Sequence, residues 1–157
     1  MRKRIIAHVQ KEISSPDQDW LNVEGLAEVE ITSEDAAHPI ECALLPDRAS
    51  GWRAAGPGQQ TIRLLFNHPQ RLRRIWMNFF EPLTERTQEY VLRWSPDSGQ
   101  SFREIVRQQW NFSPQGTTRE TEDYHVELPA VTVLELNIIP DISGGSAIAS
   151  LAQLRLA

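Results

Sequence analysis

The chain has one cysteine, Cys42, and that excludes an intramolecular disulfide. No Cys/His ligand spacing surrounds it, so it marks no structural metal site and a buried thiol is expected. No apolar run approaches the roughly 20 residues of a membrane-spanning helix. The basic opening Met1 to Arg4 is followed only by Ile5 and Ile6 before Ala7 and His8, too short and polar for a signal-peptide core. A cytoplasmic location is therefore expected. Positive charge is in deficit, 16 Lys and Arg against 21 Asp and Glu for a net charge of −5. Sequence-blind attraction to nucleic acid or to an anionic membrane is not expected. Internal repeats, heptads and low-complexity runs are missing too.

Catalytic signatures are equally scarce. His8, His38, His68 and His125 are scattered without paired spacing. There is no G-x-S-x-G elbow, no glycine-rich phosphate loop and no HExxH. The many carboxylates fit the wet faces of strands. A binding protein is expected rather than an enzyme.

What the chain does have is alternation. Its 157 residues suit one domain, long enough to bury about 70% of the unfolded surface in one core. Ala27, Val29 and Ile31 alternate with Glu28, Glu30 and Thr32, as in a strand with one solvated face. Ile40 to Leu45 is a second short strand candidate, followed by a Gly/Pro-rich loop from Asp47 to Gln59. Ile62, Leu64 and Phe66 form the next strand. Asn67, His68 and Pro69 then make a turn before Ile75, Met77 and Phe79. Tyr90, Leu92 and Trp94 are reversed by Ser95 to Gly99, so Phe102 to Trp110 returns as a hairpin partner. Tyr124 to Leu128, Leu134 to Ile138 and Ile148 to Leu156 complete the set.

The spacing predicts an all-β jelly-roll sandwich of about eight antiparallel strands. Ahead of it, Ser15 as N-cap, Pro16 and the carboxylates Asp17 and Asp19 predict a short helix carrying Trp20, Leu21 and Val23 and stopping at Gly25. Ile5, Ile6, Val9 and Ile13 fit a helix or a strand equally. The domain reading is an N-terminal extension or cover over 1–25 and a binding sandwich over 26–157.

Four landmarks occur in a telling order. They are Gly51-Trp52 followed by Gln60 to Leu64; Pro69 through Leu72 to Ile75; Tyr90 to Ser95 with Asp97, Gly99 and Phe102; and the closing pair Leu134 to Ile139 and Ala149 to Leu156. Together they resemble the discoidin, or coagulation factor 5/8 type C, branch of galactose-binding-like domains. The chain departs from that pattern in the extra residue Ser98, in Phe102 where a tryptophan is usual, and in lacking the bridging cysteines of secreted members. The resemblance implies a β-sandwich that binds its ligand through loops at one end, with carbohydrate leading. A protein ligand is the alternative, in a scaffolding domain marked by an outward patch of Leu65, Trp76 and Val91.

Five residues are candidates for the ligand site. Trp52 and Arg53 lie in the long loop, where an indole stacks on a sugar ring and a guanidinium bonds its hydroxyls. The competing reading makes Trp52 a plug at the end of the barrel. Trp110, Asn111 and Arg119 flank the turn at Ser113 to Gly116, with Trp110 and Phe112 two apart and able to share the core face instead. Arg71, Arg73 and Arg74 form the one dense basic cluster, read as phosphate-binding or as a solvated strand edge. Glu34, Asp35 and His38 leave a structural calcium ion open; no other cofactor is expected. Oligomeric state is not legible.

Overall fold

The computed structural model describes residues 15–48 and 50–157. The segment containing Ile5, Ile6, Val9 and Ile13 lies outside the described residues. The strands are β1 (Ala27–Ile31), β2 (Trp52–Pro57), β3 (Gln60–Phe80), β4 (Arg86–Ser95), β5 (Arg103–Phe112), β6 (Arg119–Ile139), β7 (Ile148–Leu151) and β8 (Gln153–Leu156). Two single-turn helices, α1 (Val23–Leu26) and α2 (Glu41–Leu44), precede β1 and β2.

Among the described residues eight strands form, but they are divided differently from the expectation. β3 contains both strands expected on either side of Asn67 to Pro69, and β6 contains both Tyr124 to Leu128 and Leu134 to Ile138. No turn forms at Asn67 to Pro69. Instead the β3/β6 register slips between Leu65 and Gln70, again by Leu72 and again by Arg74, so the two strands bend together. Pro69, which has no N–H to give to a ladder, sits in this irregular stretch.

The bend lets one pair of strands serve both layers. The first layer runs β1, the N-terminal half of β3, the C-terminal half of β6, β4, β5. The second is β8, the C-terminal half of β3 and the N-terminal half of β6. β2 and β7 make a separate antiparallel pair. Alternation directs Ile62, Leu64, Tyr90, Leu92, Leu134 and Leu136 inward from the first layer, onto Ile75, Met77, Phe79, Leu154 and Leu156 of the second. Phe79 stacks on Tyr90 across the layers, with ring centroids 5.3 Å apart.

Three further expectations are corrected. No helix begins at Ser15. The Trp20 indole donates to the Pro16 carbonyl at 3.1 Å and the Leu21 amide to the Leu156 carbonyl at 2.7 Å, so this stretch is tied down beside β8. Ile40 to Leu45 is helical at α2, because Ile40, Ala43 and Leu44, spaced i, i+3 and i+4, all enter the core. The Asp47 to Gln59 loop contains β2.

Trp76 is also not on an outward patch, being only 2% exposed. Its register partner Arg155 donates to the carbonyls of Ala43 and Leu45, so the α2 segment lies over this face. Leu65 and Val91 belong to the other layer and are half-buried.

The β4/β5 hairpin forms as expected, pairing Arg86 with Phe112 through to Trp94 with Arg103. Its turn is held by Asp97, which accepts from the Ser95 and Ser101 hydroxyls and the Ser101 amide. These bonds, Ser101's first, hold the Asp97 carboxyl down to about 2.

Under the other end of β4 lies a buried polar cluster. The Gln88 amide donates to Glu120 at 3.3 Å, and both residues are fully buried. Burial first, then the neighbouring Glu122, pushes the Glu120 carboxyl up to about 8 from its ordinary 4.5. The folded state therefore keeps a proton that the unfolded chain gives up. Stability should fall as pH rises through that window, by up to about 1.4 kcal/mol per pH unit. Urea midpoints between about pH 5 and about pH 8 should show this slope, and Glu120→Gln should flatten it. An unchanged slope in the variant would assign the effect elsewhere.

Candidate functional site

The antiparallel register sets which loops meet. Ile31 pairs with Ile62, Gln60 with Ile138, Glu89 with Ile139 and Arg86 with Phe112, so all these lie at one end of the first layer. Phe79 on Tyr90 and Glu81 on Arg86 bring the ends of β3 and β4 to the same place. The chain end lies opposite, Ala157 bonding with Arg73 and Arg74.

At the first of these ends a cleft of about 570 Å³ opens over the outward face of the second layer. Since Ile75, Met77 and Phe79 point inward, Asn78 and Phe80 point outward, as do their register partners Gln153 and Arg119. Arg155, two residues beyond Gln153, joins them. One wall is Gly51 to Arg53 with Ser150 to Ala152, another is Glu81 to Leu83, and His38 contributes at the edge. Gly51 is required where it stands. It has φ 77°, and an added Cβ would lie 3.0 Å from the Leu151 carbonyl oxygen and 3.1 Å from the Ala152 Cα.

The five candidate residues divide between two places. Trp52, Arg53 and Arg119 line the cleft. Trp52, however, is 1% exposed and its indole donates to the Ser33 carbonyl at 3.0 Å. It is the plug, with no ring face open for stacking. Arg53 is exposed and held through its backbone, its amide donating to the His38 carbonyl at 3.1 Å and its carbonyl accepting from the Asp35 amide at 2.8 Å. Arg119 lies 4.2 Å over the Phe80 ring.

Trp110 and Asn111 stay on the edge strand β5, away from the cleft. Trp110 packs half-buried against the core, and Asn111 accepts from the Thr87 hydroxyl at 2.7 Å. Phe112 is a core residue.

The other candidates are occupied in holding the fold. Arg71 and Arg73 approach Glu127, and Arg74 is paired with Asp123 and stacked over Trp20. Glu34 accepts from the Ile40 amide and Asp35 from the Ala37 amide. That backbone bond first, then the charge of His38, holds Asp35 below the ordinary carboxylate range. No group of three metal-ligating side chains occurs among the described residues.

Sequence reasoning missed Phe80, Gln153 and Arg155. A signal existed for the first: of two adjacent strand residues Phe79 and Phe80, one must face outward. Arg155 carried none, because its 4% exposure depends on α2 lying over it. It donates only to carbonyls, of Ala43, Leu45 and Leu154, and burial pushes it below arginine's usual value.

Three polar atoms around this cleft are buried without a hydrogen-bond partner, namely His38 Nδ1, Gln153 Oε1 and Arg155 Nε. The first is 3.6 Å from an Asp35 carboxylate oxygen, beyond a good hydrogen bond. Arg86 Nη2, Trp110 Nε1 and Glu120 Oε2 are the other such atoms among the described residues, and the three that belong to residues lining one concave surface mark it as the candidate site.

No protein-family model matches the chain and no curated protein matches it. Solved structures do. The family 32 carbohydrate-binding module of AlyQ, in complex with 4,5-unsaturated mannuronic acid, superposes with a TM-score of 0.63 at 14% identity, over 89% of this chain and 98% of that one. The family 32 module of C. perfringens NanJ, in complex with galactose, gives 0.63 at 12% identity over 87% and 96%. A pectin-binding module gives 0.59 at 14% identity over 83% and 89%. At such low identity the likeness shows the fold, a galactose-binding-like, discoidin-type β-sandwich.

Proposed function

We propose that this chain is a non-catalytic carbohydrate-binding module of the family 32 type, with residues 26–157 as the binding domain and the cleft beside Phe80 as its sugar site. The observation that carries the reading is the cleft lined by His38, Arg53, Phe80, Leu83, Arg119, Gln153 and Arg155, three of which hold a buried polar atom without a hydrogen-bond partner. Sugar hydroxyls both donate and accept, so one ring can satisfy an amide oxygen and a guanidinium N–H together. Phe80 and Leu83, 37% and 79% exposed, supply apolar surface for the C–H face of a ring. The sugar-bound state of the similar modules supports the same reading.

An NMR titration with neutral and acidic oligosaccharides tests it. Shifts should concentrate at Phe80, Leu83, Arg53 and Arg119, and Leu83→Ala should weaken binding with little loss of stability, since that side chain is mostly in solvent. Silence across the panel, or shifts centred on Trp110 and Asn111 instead, would sink this assignment.

A further inference from the structure

The charge around the cleft is out of keeping with the rest of the protein. The chain carries a net charge of −5, and most of its described guanidinium groups have a carboxylate within ion-pair distance, as Arg63, Arg71, Arg74, Arg86, Arg93 and Arg107 do. Arg53, Arg119 and Arg155 line one cleft and none of the three has such a partner among the described residues. The carboxylate in the lining, Glu81, is already bonded to Arg86 at 3.0 Å and to the Leu83 amide at 3.3 Å. It leaves Arg119 and Arg155 uncompensated, and Arg53 with only the more distant charge of Asp35.

Their geometry suits a planar anion. Arg119 lies with its Cζ 4.2 Å from the Phe80 ring centroid and donates no hydrogen bond within the described residues, so its N–H groups are free. Arg53 likewise makes only backbone bonds. Arg155 is 4% exposed, spends its terminal nitrogens on carbonyls and leaves Nε unpartnered. A buried cation without a counter-charge is costly, and an arriving anion relieves that cost. A carboxylate offers two oxygens matched to the guanidinium fork, while a hydroxyl offers one atom and no charge.

We infer that the cleft selects an acidic sugar, a saccharide with a ring carboxylate of the uronic acid class, held by Arg53 and Arg119 with Arg155 supplying positive potential from below. This rests on the reading of the cleft as a sugar site and narrows it.

The test compares matched ligands by calorimetry on the full chain: oligogalacturonate, its methyl ester, neutral galactan oligosaccharide and a sulfated galactan oligosaccharide. The free acid should bind about tenfold tighter than its ester, the range of one charge-assisted hydrogen bond, and should weaken with added salt. Arg53→Gln and Arg119→Gln should each shrink the acid-to-ester ratio. Ester and acid binding alike, with both variants unchanged, would overturn the inference while the carbohydrate reading stands. Preference for the sulfated ligand over the acid would overturn the assignment to a carboxylate. No heat from any of the four, with no shift at Phe80, would overturn the carbohydrate reading and the inference together. The acid-to-ester comparison uses the unaltered protein, so it decides even if a variant folds poorly.

Discussion

Trp52→Ala is expected to cost about 3–5 kcal/mol of unfolding free energy, the range for deleting a large buried aromatic ring. The indole is 1% exposed and begins β2 opposite Leu151 of β7, so truncation leaves a cavity beneath the cleft wall. It also strips the Ser33 carbonyl of its 3.0 Å donor. Trp52→Phe keeps most of the volume and loses that bond, for a smaller cost of about 1–2 kcal/mol. Urea unfolding of the two variants checks the order. If Trp52→Ala unfolded like the parent protein and lost only sugar binding, the residue would be a ligand platform and its position as a plug would be wrong.

Arg86→Leu is expected to be about as damaging, at about 3–5 kcal/mol, because it breaks a buried ion pair from one side. Arg86 is 3% exposed. It donates to Glu81 at 3.0 Å, to Gln88 at 3.2 Å and to the Pro140 carbonyl at 2.8 Å, and it lies 4.8 Å over the Phe112 ring. Its removal leaves the Glu81 carboxylate charged, nearly buried and alone. Glu81 also receives the Leu83 amide, so the loop forming one wall of the cleft loosens in the same step. Replacing both partners, Arg86→Leu with Glu81→Leu, should cost less than the two single changes added together. Additive costs in a urea double-mutant cycle would show that the pair is not coupled.

The strands were legible in the sequence because their signal is local. Inward and outward residues alternate along Ile62 to Phe66, Tyr90 to Trp94 and Leu134 to Ile138, with Leu65 and Val91 the apolar exceptions on the outer side, and the structure keeps all three inward sets in the core. The hairpin at Ser95 to Gly99 was legible for the same reason, its Asp and Gly meeting the needs of the turn. The continuity of β3 and β6 was hidden, since a Pro inside each, Pro69 and Pro129, reads as a break whether the chain turns back or bends through. α2 was misread because Ile40 to Leu45 is too short for periodicity to separate helix from strand.

At the cleft, Arg53 and Arg119 were within reach as charged residues beside loops. Trp110 and Asn111 were drawn in by residue type and by their place before the turn at Ser113 to Gly116, and pairing with β4 holds them on an edge strand. Gln153 and Arg155 belong to a face whose burial is decided by a segment about 110 residues earlier, Arg155 bonding to Leu45 across a separation of 110. Such a relation leaves no trace in local pattern.

The shared pair of strands also governs how the chain must assemble. Among the described residues only β4 and β5 are neighbours both in sequence and in a ladder. β3 finds β6 across wide gaps, as the 72-residue separation of Arg63 and Glu135 shows. The entropy of closing such loops is spent before the contacts that reward it exist, which puts refolding at the slow end for a domain of this size. And because β3 and β6 run through both layers at once, neither layer is a unit that melts alone: the molecule comes apart as a whole or not at all.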